Sequence, residues 1–61
     1  MGGIILYVVQ NKVTKKYLSI NKHSPNVWSR DIEYATKFYS LQGACEALNL
    51  YYGEPVEIVI I

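Results

Sequence analysis

The clearest periodic pattern in the chain lies in residues 40–52 and predicts an amphipathic helix. Apolar side chains recur there at helical spacing, at Leu41, Ala44, Cys45, Leu48 and Tyr52. Ser40 precedes this stripe and has a hydroxyl that can accept from the unpaired N–H groups of a first helical turn. Gly53 and Pro55 are typical of a helix end, with Gly53 suited to a left-handed position. A helix this short is marginal alone in water, so we expect it to pack on another element.

Four other segments have extended patterns and predict a small sheet. Ile4–Gln10 is a continuous run of β-branched and aromatic residues, which is typical of a strand covered on both faces. Lys16–Asn21 should pair with it as a hairpin through the polar turn Asn11–Lys15. Val27–Arg30 is a short extended piece that carries Trp28 inward. Glu54–Ile61 alternates in part and is the closing strand.

A single helical turn is predicted at residues 31–36, with Asp31 as its cap and with Ile32 and Ala35 on its inner side. The predicted fold class is α+β: one domain over residues 1–61, with an antiparallel sheet of three to four strands and one helix across one face, in the order β-β-α-β. We predict a core formed by apolar residues of these elements: Leu18, Ile20, Trp28, Phe38, Leu41, Cys45, Leu48, Val56 and Ile58.

The apolar area of this sheet exceeds what one helix can cover. Ile4–Val9 is apolar on both faces, and the last strand adds Val59 and Ile61 to the face opposite Val56 and Ile58. Because soluble monomers rarely leave large apolar patches in water, we expect a homodimer built through the sheet. The predicted interface consists of Ile4, Leu6, Tyr7, Val8, Val59 and Ile61. The competing interpretation is a monomer whose apolar face is kept for a foreign partner.

The composition argues against the other two features that commonly stabilise a small domain, disulfides and a structural metal. Cys45 is the only cysteine, which excludes a disulfide within the chain, and His23 adds only one more soft ligand where structural zinc needs about four. We therefore expect no metal or other cofactor. No apolar run approaches the roughly 20 residues of a membrane span, and the first residues lack the basic start of a signal peptide. A cytoplasmic protein is expected.

Charge is uneven along the chain although its net value is only +1. All the charged residues among positions 1–30 are basic, whereas positions 31–61 hold every acidic residue and a single base, Lys37. Four of the lysines lie near Tyr17 on the predicted hairpin and the loop after it: Lys12, Lys15, Lys16 and Lys22. Such a patch combines charge for phosphates with a ring for stacking, but a solvated hairpin tip has the same composition.

Catalytic chemistry finds little support in the sequence. His23 lies in a polar loop without an assignable nucleophile, and Cys45 falls on the apolar stripe, where a buried and inert thiol is expected. Asp31 and Glu33 are explained as a helix cap and a first-turn acid. The six tyrosines suit either an interface or the edge of the core, since tyrosine combines apolar area with a hydroxyl. An enzyme is therefore not expected.

Residues 17–44 contain the pattern YLS, then W-S-x-D-I-x-x-A-x-x-F-x-S, then a helix with small residues. This pattern resembles short uncharacterised proteins of phages and prophages of low-GC Gram-positive bacteria. The resemblance covers about residues 4–48 and implies a small α+β fold of phage origin. Phage proteins of this size are often inhibitors or adaptors that bind a host protein, including components of bacterial defence.

A second resemblance is to the DNA-binding arm domains of phage integrases, which have three strands and one helix. Phe38, Ser40 and Ala44 match the step that opens the helix in those domains. The alternating Arg and Lys residues that would read DNA from the sheet are missing here. The expected function is therefore that of a non-enzymatic, protein-binding homodimer, an inhibitor or adaptor that acts on a bacterial host protein. Components of host defence are among the expected targets. The alternative is a nucleic-acid-binding accessory protein that uses the Lys12–Lys22 hairpin.

Overall fold

Four short antiparallel strands and one helix form the fold in the computed structural model, which describes residues 3–20, 27–51 and 53–61. The elements are β1 (Tyr7–Asn11), β2 (Tyr17–Ser19), β3 (Val27–Ser29), a 3-10 turn (Ile32–Tyr34), α1 (Leu41–Asn49) and β4 (Val56–Ile60). The strand order is β3-β2-β1-β4, and α1 packs on β1 and β4. The predicted α+β class is therefore confirmed.

The strand β1 is central and pairs over its whole length with β4, from Tyr7 opposite Ile60 to Asn11 opposite Val56. Its pairing with β2 is limited to Gln10 opposite Tyr17. The predicted first strand began at Ile4, but the observed strand begins three residues later, where its partner strand ends.

Residues 36–38 fill the gap that opens between β1 and β2. The backbone of Phe38 exchanges two hydrogen bonds with Tyr7, at 2.8 and 2.9 Å, and the Thr36 N–H donates to the Leu18 carbonyl at 3.0 Å. The Thr36 hydroxyl also accepts from the Ile20 N–H at 2.7 Å. This segment therefore satisfies backbone groups of both strands, which a hairpin with full pairing would have satisfied directly.

Both predicted helix starts are confirmed by their caps. The Ser40 hydroxyl accepts from the Gly43 N–H at 3.1 Å, and an Asp31 carboxylate oxygen accepts from the Glu33 N–H at 2.9 Å. The predicted end of α1 is wrong, because the helix stops at Asn49 and its C-cap, Leu50, keeps right-handed backbone angles. No described glycine has a positive φ, so Gly53 does not form the predicted left-handed cap.

The core is centred on Val9, Leu18 and Ala47, which are all buried. Partly buried side chains of β3, α1, β4 and the segments before and after α1 pack around this cluster: Trp28, Phe38, Leu48, Tyr51 and Val56. The helix buries Ala44 and Ala47. Alanine has the smallest apolar side chain, so a helix that rests on alanines lies close to the sheet.

Three residues of the predicted core are not in it. Leu41 is 53% exposed and Cys45 is exposed, because α1 turns its Ala44 and Ala47 side to the sheet and leaves those two on its flank. Ile20 is 41% exposed because it follows the last residue of β2, beyond the paired part of the sheet. Ile58 is half-buried.

Candidate interaction surfaces

The described residues contain no cluster of side chains that could hold a metal ion. They contain no cavity and no group of three or more His, Cys, Asp and Glu side chains. An Asp31 carboxylate oxygen accepts from the backbone of the 3-10 turn, and Cys45 is exposed on α1. His23 and Lys22 lie outside the described residues.

The first candidate surface is the hairpin tip between β1 and β2, which Asn11 organises. Its side-chain oxygen accepts from the Val13 N–H at 2.9 Å and from the Thr14 N–H at 3.0 Å, and its carbonyl accepts from the Lys15 N–H at 2.8 Å. The Gln10 side chain donates to the Lys15 carbonyl at 3.0 Å. These bonds satisfy the backbone of a tight loop and fix the positions from which its lysines project.

Lys15 is the one non-glycine residue with a positive φ among the described residues, at 64°. This left-handed region suits Gly or Asn and is unfavourable for a lysine. Lys12 and Lys15 are exposed, while Lys16 and Tyr17 are half-buried. The hairpin therefore does bring three of the four predicted lysines into one loop, although Lys16 and Tyr17 offer less surface than the prediction required.

The second candidate surface is the outer edge of β4. The Ile61 N–H donates to the Leu6 carbonyl at 3.0 Å, and the Lys12 N–H donates to the Pro55 carbonyl at 2.7 Å, so residues of odd number turn their backbone groups toward β1. Alternation in an antiparallel ladder then turns the N–H and C=O groups of Ile58 and Ile60 away from the sheet. The Val56 N–H is different, because it donates locally to the Glu54 carbonyl at 2.8 Å.

The third candidate surface is an apolar end of the molecule, which we define as Ile4, Ile5, Tyr39, Leu41, Ile60 and Ile61. Its members are exposed: Ile4 by 76%, Ile60 by 67% and Tyr39 by 77%. The register explains why they meet, because Tyr7 pairs with Ile60 on one side and with Phe38 on the other. The start of β1, the end of β4 and the entry to α1 therefore lie at one end of the sheet.

The predicted dimer interface agrees with this surface only in part. Val8 cannot contribute to a contact, because its side chain is 0% exposed within the fold. Leu6, Tyr7 and Val59 are half-buried, whereas Ile4 and Ile61 are exposed. The prediction failed at Val8 because a continuous apolar strand was assumed to leave one whole face uncovered, but this central position is covered.

Sequence reasoning missed Tyr39, Leu41 and Ile60 as surface residues. Ile60 shares a strand face with Val56 and Ile58, two residues of the predicted core, and yet its side chain is 67% exposed. Tyr39 follows a residue that pairs with β1, so its exposure depends on a contact distant in sequence. Among the other tyrosines, Tyr34 is exposed and Tyr51 contacts the Trp28 ring.

Comparison with known proteins identified no relative of this chain. No protein-family model, no curated protein and no solved structure matches the chain. Within the described ranges, no helix has both the length and the apolar character that crossing a bilayer requires.

Proposed function

We propose that this chain is a non-enzymatic protein-binding module that works as a homodimer in the cytoplasm of a bacterial host. The observation that carries the proposal is the apolar end, where large side chains such as Ile4, Tyr39 and Ile60 are each more than half exposed. Exposed apolar clusters mark interaction sites, and tyrosine is a frequent anchor in them. The absence of a cavity from the described residues also favours a partner that is a surface and not a small molecule.

The kind of partner is inferred from the sequence pattern. The YLS and W-S-x-D-I motifs that resemble phage and prophage proteins support a phage-type inhibitor or adaptor, and a component of host defence is one such target. In the fold, Leu18 and Ala35 of these motifs are buried and Asp31 caps a turn. These three motif residues therefore support the scaffold, and under this proposal exposed residues outside the motifs contact the partner.

The test compares the apolar end with a distant exposed apolar position. Ile4→Asp combined with Ile5→Asp alters two exposed residues that precede β1, so the fold should be retained. Val13→Asp is the matched control, because Val13 is equally apolar and exposed but lies in the hairpin tip. Sedimentation at micromolar concentration should give twice the 7.0 kDa chain mass for the wild type and the control. The double variant should give a monomer.

A pull-down from a Gram-positive host lysate extends the test to the partner. A host protein that binds the wild type and Val13→Asp, but not the Ile4→Asp and Ile5→Asp double variant, would support the module as proposed. A chain that stays at 7.0 kDa on concentration contradicts the homodimer. Equal capture by all three proteins contradicts the role of the apolar end.

A second candidate function is nucleic-acid binding, and one observation favours it. Lys15 retains a long charged side chain at φ 64°, where Gly or Asn would be less strained. The strained backbone of this exposed lysine is explained if binding to phosphate requires its charge at this position. Titration of duplex and single-stranded DNA with salt distinguishes the two functions, because phosphate contacts give a steep linear loss of log affinity with log salt concentration. Lys12→Ala should flatten this slope if the hairpin binds the phosphates.

A further inference from the structure

The outer edge of β4 presents backbone groups that no described strand pairs. Ile58 and Ile60 direct their backbone N–H and C=O groups away from β1, and no described strand lies on that side. Edge strands are normally protected by lysine, proline, a bulge or a short length. β4 is among the two longest strands, contains no lysine or proline, and pairs with β1 without a bulge. Glu57 is its only charged residue.

We propose that a second copy of this chain occupies the edge, with the two β4 strands antiparallel about a twofold axis at Val59. The two four-stranded sheets then form one continuous sheet. This inference rests on the homodimer of the proposed function and specifies its geometry. Ile58 of each copy lies opposite Ile60 of the other, and each of these residues both donates and accepts a backbone hydrogen bond.

The Val56 N–H and the Glu57 charge select this register. An axis at Ile58 would place Val56 opposite Ile60 of the second copy, although the Val56 N–H already donates to the Glu54 carbonyl. An axis at Glu57 would place two carboxylates directly opposite each other, which is destabilising. With the axis at Val59, each Glu57 lies four positions from its equivalent, on the order of 13 Å along the strand. Only apolar residues remain at the centre of the seam.

A second copy fits this edge better than a different strand does. The other free edge of the sheet, β3, has only three residues, and pairing of β4 with β3 of another copy would be head to tail. Head-to-tail contacts extend into open assemblies unless the rotation closes, whereas a twofold seam closes with two copies. The twofold seam also continues into the apolar end, because Ile60 and Ile61 belong to both surfaces.

Disulfide trapping tests the axis directly. The test uses Val59→Cys in a Cys45→Ser background, so that each copy has a single cysteine, at the proposed axis. The two cysteines of a dimer then lie directly opposite each other, in a pair that exchanges no backbone hydrogen bonds. The Cα atoms of such a pair are about 4.5 Å apart, which allows a disulfide to form. Glu57→Cys is the matched control on the same face of β4, and its two copies are too far apart to be linked. Mild oxidation should convert most of the Val59→Cys protein to a covalent dimer and leave Glu57→Cys unlinked.

The outcomes separate this inference from the proposed function. A dimer by sedimentation in which Val59→Cys stays unlinked, or links no faster than Glu57→Cys, overturns the β4 seam and leaves the homodimer standing. A monomeric wild type overturns both. Ile60→Pro gives a second measurement, because it removes an N–H that points away from β1. Its dimer dissociation constant should rise about tenfold or more, while Ile60→Val should match the wild type.

Discussion

The rings of Trp28 and Tyr51 meet edge to face, with centroids 5.5 Å apart and planes inclined by 73°. Trp28 is the middle residue of β3, and Tyr51 lies two residues beyond α1. The contact joins the far edge of the sheet to the end of the helix. Since α1 otherwise packs mainly on β1 and β4, this aromatic pair extends the core across the sheet to β3.

The aromatic pair should stabilise the fold by more than the burial of the two rings separately would. In a double-mutant cycle of Trp28→Leu and Tyr51→Leu, we expect a coupling free energy of about 0.5–1.5 kcal/mol in denaturant unfolding. Tyr39→Leu is the control, because Tyr39 is exposed and should be additive with Trp28→Leu within about 0.5 kcal/mol. Additive effects of Trp28→Leu and Tyr51→Leu would contradict the contact.

Local signals predicted the helix starts of this fold well. Ser40 and Asp31 could be assigned as caps from sequence, because capping depends on a side chain and an N–H only two or three residues away. The antiparallel sheet also followed from local patterns. The position of residues 36–38 between β1 and β2 did not, since nothing near Thr36 indicates that it will bond to Leu18.

The buried face of α1 was not predictable from periodicity alone. Two overlapping stripes share Ala44 and Leu48, one continuing through Leu41 and Cys45 and the other through Ala47 and Tyr51. Both have helical spacing, and hydrophobicity favours the first. The fold uses the second, because Ala47 joins Val9 and Leu18 in the core and Tyr51 reaches Trp28. The contacts that decide which stripe of α1 is buried are made by side chains of other elements.

Two leucines of α1 provide a test of this choice. Leu48 packs against the core cluster and is partly buried, so Leu48→Ala should lower the free energy of unfolding by about 2 kcal/mol. Leu41 is more than half exposed, and Leu41→Ala should cost less than about 0.5 kcal/mol. Urea unfolding of both variants provides the comparison. Equal losses would mean that the helix buries the predicted stripe and not the observed one.

The exposure of Cys45 reverses the expectation of an inert thiol. A thiol reagent should label Cys45 in the native protein at a rate within about tenfold of that in denaturant, because the side chain lies on the exposed flank of α1. Cys45→Ser should leave stability within about 0.5 kcal/mol of the wild type. Labelling that requires unfolding would place Cys45 against the sheet. The measurement also establishes whether Cys45→Ser is a neutral background for disulfide trapping.

Backbone conformation and charge can be separated at Lys15. The residue has φ 64°, so Lys15→Gly should relieve strain and raise the free energy of unfolding by about 0.5–1 kcal/mol. Lys15→Ala removes the same charge but keeps a Cβ, so it should not stabilise the protein. Thermal or urea unfolding of the two variants measures the difference. Equal stabilities would show that the loop is not left-handed at this position.

The same two variants bear on nucleic-acid binding. If Lys15 contacts phosphate, both variants should weaken DNA binding and reduce the slope of log affinity against log salt concentration by about 1, since both lose one charge. Their binding should then be equal although their stabilities differ. Unchanged binding in both variants would remove Lys15 from any phosphate contact. The strained backbone would then follow only from the tight loop that Asn11 closes through its carbonyl, 2.8 Å from the Lys15 nitrogen.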